Sequence, residues 1–267
     1  MCQTCSTTYA QNVKSAIAAN PTFKAICDFN ILHFPENGYS LYYRELQNGT
    51  AILQTPQQLN TYIASYSDMH RHKLNLAFTE LFKDNTLQGK SIEVIDWGCG
   101  QAFATCVLID FIREQKINID INRFTLIEPS SPALTRGNEH IEAIYQRQPK
   151  PETVLLNEKA DNLSSSQLRT NNNSIKLHLF SNLLDIFTLD LPKVVSTIKQ
   201  SQVGLNYFVC VSPINGSRLS TFFQMFSGAT LLSNKSNSII GKVFRPSAMK
   251  MVAHAISRVE YIFKTNL

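Results

Sequence analysis

The chain has 267 residues, 43% of them hydrophobic and 17% charged, with 25 Lys and Arg against 20 Asp and Glu for a formal charge of +5. That is enough apolar material for one full α/β core with an addition to it, and no internal repeat or long low-complexity run interrupts it. The longest apolar stretch, Val94 to Ile112, is broken by Asp96, two glycines and Asp110, which excludes a membrane-spanning helix. The first thirty residues lack the apolar segment of a secretion signal, so a cytoplasmic setting with six reduced cysteines is expected.

Residues 1–85 precede the first core strand and read as an N-terminal, mainly helical cap on a domain spanning 86–267. Cys2-x-x-Cys5 has metal-ligand spacing, but no second pair accompanies it, and no metal site is expected. Asn12 to Phe29 is amphipathic. So is Pro56 to Phe82, where Leu59, Tyr62, Ile63, Tyr66, Met69, Lys73, Leu74, Ala77, Phe78, Leu81 and Phe82 recur at helical spacing. Between them, Gly38 to Leu53 alternates in a way that predicts a short hairpin or an extended crossing. Within the long helix, Tyr66, His70 and Lys73 share a face, which fits either a solvated polar surface or a site that uses His70.

The most informative stretch is Ser91 to Thr105, S-I-E-V-I-D-W-G-C-G-Q-A-F-A-T. Ile92, Val94 and Ile95 form a buried strand that ends at Asp96. Gly98 and Gly100 allow a tight turn with exposed main-chain N–H groups, and a helix follows. A dinucleotide fingerprint would need glycine where Phe103 stands, and no Lys-Ser or Lys-Thr pair follows as a phosphate loop requires. Phe124 to Ile127 is a second strand ending on Glu128. Ser130 and Pro132 then start a helix running to about Gln146. Thr153 to Leu156 is a third strand, followed by Asp161 and by a Ser- and Asn-rich loop from Asn162 to Ser174. Ile175 to Phe180 is a fourth strand leading into Ser181-Asn182-Leu183-Leu184-Asp185, and Leu205 to Val211 is a fifth. Antiparallel strands at the sheet edge and a short helix, Ser247 to Ser257, are expected beyond it.

Asp96-Trp97-Gly98-Cys99-Gly100, with its companions in this order, resembles the first motif of class I S-adenosylmethionine-dependent methyltransferases; Ala102 stands where that family often has a third glycine. The resemblance implies a Rossmann-like α/β fold, a central, mostly parallel seven-stranded sheet with helices on both faces. It implies S-adenosyl-L-methionine as cofactor, held by Asp96, Gly98, Cys99, Gly100, Glu128 (ribose hydroxyls), Asp161 (adenine amino group) and Ser181. Asn182 and Asp185 fall where the family puts acceptor-side residues, and with His70 they are the catalytic or positioning candidates.

Neither an (N/D)-P-P-(Y/F) motif nor a Pro-Cys nucleophile is present, so the methyl acceptor, a small molecule or RNA, stays open. Transfer by positioning alone is also sufficient in principle. A rival reading is a non-catalytic assembly factor, in which the acceptor chamber would be filled by side chains. Aminopropyl transfer would want an acidic cluster that the chain lacks. The last 33 residues hold six basic residues and one acid, the whole of the net charge. That concentration suits either RNA contact or lysine protection of an edge strand.

Overall fold

The computed structural model describes residues 3–33, 39–168, 170–171, 174–213 and 216–267. Seven strands make one sheet: β1 (Ser91–Trp97), β2 (Asp120–Ile127), β3 (Glu152–Leu156), β4 (Ile175–Ser181), β5 (Leu205–Ser212), β6 (Thr230–Arg245) and β7 (Lys250–Asn266). Their order is β3-β2-β1-β4-β5-β7-β6. β1 to β5 run parallel, whereas β7 lies antiparallel to β5, and β6 antiparallel to β7. The chain winds outward from β1 to β3 and then returns to place β4 against β1. In open α/β sheets the crevice beyond the strand ends at such a reversal is where ligands bind.

Both faces of the sheet are covered, which is why its parallel strands read as nearly continuous apolar runs. Ile92 and Val94, Phe124 and Leu126, Leu177 and Leu179, and Tyr207 and Val209 share a core with α5 (Phe103–Glu114) and α6 (Ser131–Ile144). Alternate positions, including Ile95, Trp97, Ile127, Phe180, Phe208 and Phe263, pack with α7 (Leu191–Ser201) and α8 (Gly216–Gln224) on the other face. No helix among the described residues is long and apolar enough to cross a membrane.

The N-terminal region is helical but divided differently from the expectation. Asn12 to Phe29 is two helices, α1 (Gln3–Ala16) and α2 (Phe23–Leu32). The break falls at Pro21 and at Thr22, whose side chain caps α2 by accepting from the Ala25 N–H. Where a hairpin or crossing was expected, the described part is α3 (Tyr39–Glu45) and a 3-10 turn, Gln47–Gly49. Leu46 and Leu53 are buried against Leu59 and Ala133, so these apolar residues find helix partners instead of a neighbouring strand. α4 (Pro56–Leu81) starts at a Thr55/Gln58 capping box with Pro56 in its first turn. It lies against α5 and against β6 and β7.

The expected helix from Ser247 to Ser257 is absent. A 3-10 turn, Pro246–Ala248, leads straight into β7. Val252, Ile256 and Val259 suit a helix by spacing, but the chain pairs from Arg245 opposite Lys250 onward and buries Ile256 and Arg258 on alternate positions. Only Val259 to Asn266 of β7 also pairs with β5, so the hairpin of β6 and β7 runs on past the sheet. Its extension docks on α4. The Phe244 N–H donates to Asp68 (2.9 Å), a His72 ring nitrogen bonds the Lys242 carbonyl (3.1 Å), and Phe244 is buried on Ala64.

Candidate active site

The turn after β1 is held by its own backbone. Gly98, Gly100 and Ala102 all take positive φ (60°, 54° and 59°), so the third left-handed position is filled by a residue with a Cβ. Room for that Cβ comes from α6: a side chain at Gly137 would lie 3.0 Å from the Cβ and the backbone nitrogen of Ala102. The Cys99 N–H donates to the Ile127 carbonyl (2.9 Å), fastening the turn to the end of β2. Asp96 is buried, and its Oδ2 accepts from both the N–H (3.2 Å) and the hydroxyl (2.7 Å) of Thr105 in the first turn of α5. Burial pushes the Asp96 carboxyl up to about 7, against the lowering effect of the two Thr105 bonds.

Glu128 joins the turn to the start of α6. Its Oε2 accepts from the Gly100 N–H (3.0 Å) and its Oε1 from the Ser130 N–H (2.9 Å). Burial raises its pKa and these two backbone donors oppose the rise. Each carboxylate oxygen has room for a second donor.

A cavity of about 290 Å³ opens beside these groups. Gly98, Gly100 and Glu128 line it, as do Asp161, Ser181 and the stretch from Gly49 to Leu53. No heavy atom lies within 4 Å of where a Cβ on Gly100 would be. Asp161 receives the Asp190 N–H at 3.1 Å, and the buried Ser181 hydroxyl has no hydrogen-bond partner among the described residues.

A second cavity, about 370 Å³, adjoins the first; Gly49, Thr50, Tyr62, Asn182 and Ile186 line both. On its wall, Asn182 holds a positive φ of 56° and its N–H bonds the Val211 carbonyl (2.7 Å). Its side-chain oxygen accepts from Lys73 Nζ at 2.7 Å, and its amide nitrogen lies 2.6 Å from His70 Nε2. Burial lowers Lys73 to about 8, opposed by the charge of Asp185, and lowers His70 well below 6.5, with Lys73 adding to the effect. One carboxylate oxygen of Asp185 is buried without a hydrogen-bond partner among the described residues. His254 and Ser257 of the hairpin close the far side.

The sequence matches no protein-family model and no curated protein. Similar solved structures include the plantazolicin methyltransferase BpumL in complex with S-adenosylhomocysteine and a monoazolic desmethylPZN analog (10% identity over 90% of this chain and 100% of that one, TM-score 0.48). They also include precorrin-6y C5,15-methyltransferase from Geobacter metallireducens (10% identity, 73% and 86% covered, TM-score 0.43) and an rRNA methylase from Streptococcus thermophilus (11%, 72% and 97%, TM-score 0.41). These solved methyltransferases are what this chain is similar to in structure.

Of the residues the sequence singled out, Gly98, Gly100, Glu128, Asp161 and Ser181 border the first cavity, Asp185 and His70 the second, and Asn182 both. Asp96 and Cys99 border neither. The Asp96 carboxylate accepts from Thr105 of α5, and the Cys99 side chain is buried. The solvated-face reading of His70 and Lys73 is corrected: they are 7% and 3% exposed. Cys2 lies outside the described residues, and so does Asn215.

Among the C-terminal bases, Arg258 is buried on Glu260 (2.8 Å), Lys235 pairs with Glu80, and Arg245 bonds the His254 ring (2.9 Å). Lys73, Tyr62 and the Gly49 to Leu53 stretch were not among the sequence candidates. Lys73 alone had a signal, as a charge inside the apolar stripe of α4.

Proposed function

We propose that this chain transfers the methyl group of S-adenosylmethionine to an acceptor held in the second cavity. The observation that carries this reading is the pair of adjoining cavities at the β1/β4 reversal, with Asn182 and Tyr62 in the shared wall. The residues present suit the cofactor. Glu128 has two oxygens able to receive the ribose hydroxyls, Gly100 leaves the space a Cβ would take, and the Ser181 hydroxyl lacks a partner. Asp161 is assigned the adenine amino group. When bound, the cofactor supplies an electrophilic methyl on a sulfonium.

The chain's contribution is to orient and exclude water. Asn182 and Asp185 position the acceptor, and His70 fixes the Asn182 amide, since its Nε2 accepts from it. Residues 1–85 act as the cap, and α4 with the hairpin encloses the chamber. The open volume of about 370 Å³ favours catalysis over the assembly-factor reading, which requires that space to be filled.

Thermal unfolding with S-adenosylhomocysteine tests the reading. At about a hundred times Kd, the ligand is expected to add about 2.7 kcal/mol and raise Tm by about 5–10 °C. Glu128→Ala is expected to lose most of that rise. A wild-type Tm that does not move at saturating ligand overturns the proposal.

A further inference from the structure

Lys73 is the most unusual group in the second cavity. It is 3% exposed, yet its ammonium has a single hydrogen-bond partner among the described residues, Asn182 Oδ1 at 2.7 Å. A lysine ammonium carries three donors, and buried donors seek acceptors. Lys73 borders the second cavity. His70, the other basic group on this wall, is already used. Because Asn182 Oδ1 accepts from Lys73, its amide nitrogen must donate to His70 Nε2, so that lone pair is not free to take a proton. The rest of the lining is mixed: Tyr62 and Tyr66, with ring centroids 5.0 Å apart and planes inclined at 59°, Ile186 and Ile256 stand beside the polar Asp185, His254 and Ser257.

We propose, on the basis of the methyl-transfer reading, that the acceptor is a small molecule with an acidic hydroxyl, and that Lys73 binds its oxygen and takes its proton. The neutral Lys73 amine accepts the hydroxyl proton and becomes ammonium. The oxygen lone pair forms the new bond to the methyl carbon, the carbon–sulfur bond breaks with both electrons staying on sulfur, and Lys73 later releases its proton to solvent. Lys73, held near 8 by burial, is suited to exchange a proton near neutral pH. Asp185, with its unpartnered buried oxygen, serves a second donor on the same molecule. The volume of about 370 Å³ suits a small ligand. The titratable groups bordering the same cavity are His70, Tyr62 and Tyr66 on α4, Asp185 after β4 and His254 on β7.

The test uses 4-nitrophenol, whose ionised form is yellow, with the full chain saturated with S-adenosylhomocysteine, in buffer below the phenol's own pKa. The wild type is expected to bind it with the yellow band developed and at least about tenfold more tightly than uncharged nitrobenzene. Lys73→Met should lose the band and the preference while still binding S-adenosylhomocysteine by calorimetry, and Lys73→Arg, which keeps the charge but cannot accept a proton, should lose methyl transfer to the phenol. Nitrobenzene should bind wild type and Lys73→Met alike. If Lys73→Met does not fold, Lys73→Gln replaces it. Equal affinity for the two probes, no binding of either, or a yellow band that survives in the Met or Gln variant overturns the proposal. Failure of the wild type to bind S-adenosylhomocysteine instead overturns the methyl-transfer reading beneath it.

Discussion

Asp96 shows how a buried acidic side chain at a strand end can tie a turn to the helix that follows. Its carboxyl is buried and bonded through one oxygen to Thr105, and its pKa is raised to about 7 from an ordinary value near 3.9. Between about pH 4 and pH 7 the folded chain therefore holds a proton that the unfolded chain has released, so this group's contribution to stability declines as pH rises through that range. Asp96→Asn keeps an oxygen for both Thr105 bonds and cannot ionise. It is expected to match the wild type near pH 4 and to exceed it in urea midpoint at about pH 8. A difference that stays constant with pH would refute this account. The motif was legible in the sequence because strand, turn and helix follow one another locally. That Asp96 turns inward was not, since an acidic residue at a strand end reads the same whether it faces ligand or helix. Lys73 was read as part of an apolar stripe, and only the fold shows that the stripe passes a cavity at that point.

At the scale of elements, the parallel strands were readable because burial on both faces leaves runs that are buried almost throughout and mostly apolar, as in β1, β4 and β5. The two elements misread, α3 and the first half of β7, are short or ambiguous in period, and a long-range partner decides each. β7 takes its register from β6, and the apolar residues around the turn after α3 are buried by α4 and α6. The contact between α6 and the glycine turn gives an expected outcome in which two effects compete. Gly137→Ala gains about 1 kcal/mol of helix propensity. It also places a Cβ 3.0 Å from the backbone of Gln101 and Ala102, and overpacking costs about 1–3 kcal/mol. Packing is expected to win, with a net loss in stability at chemical denaturation that Ala102→Gly does not restore, because the backbone contact remains. A more stable Gly137→Ala variant would show that α6 can move away from the turn.

Across the whole molecule, the second cavity is assembled from parts distant in sequence: α4, the segment after β4 and the hairpin of β6 and β7. That is why its lining could not be read from any one stretch. The hairpin extension is joined to the rest mainly through α4, with Phe244, 6% exposed, seated on Ala64. Phe244→Ala is expected to loosen this arm without unfolding the sheet. Amide exchange across 238–256 should rise about a hundredfold, equivalent to about 3 kcal/mol of local opening, while β5 keeps its protection. Equal acceleration in β5 would mean that the arm and the sheet open as one unit.

The wall common to the two cavities carries a thermodynamic obligation. Asn182, held in a left-handed conformation and bonded on one side to Lys73 and on the other to His70, faces both spaces, as does Tyr62. A ligand that shifts this amide from one side alters the fit of the other, and the coupling must be reciprocal: whatever factor the first ligand imposes on the affinity of the second, the second imposes on the first. Under the proposed function, one amide would then make two binding events a single cooperative one.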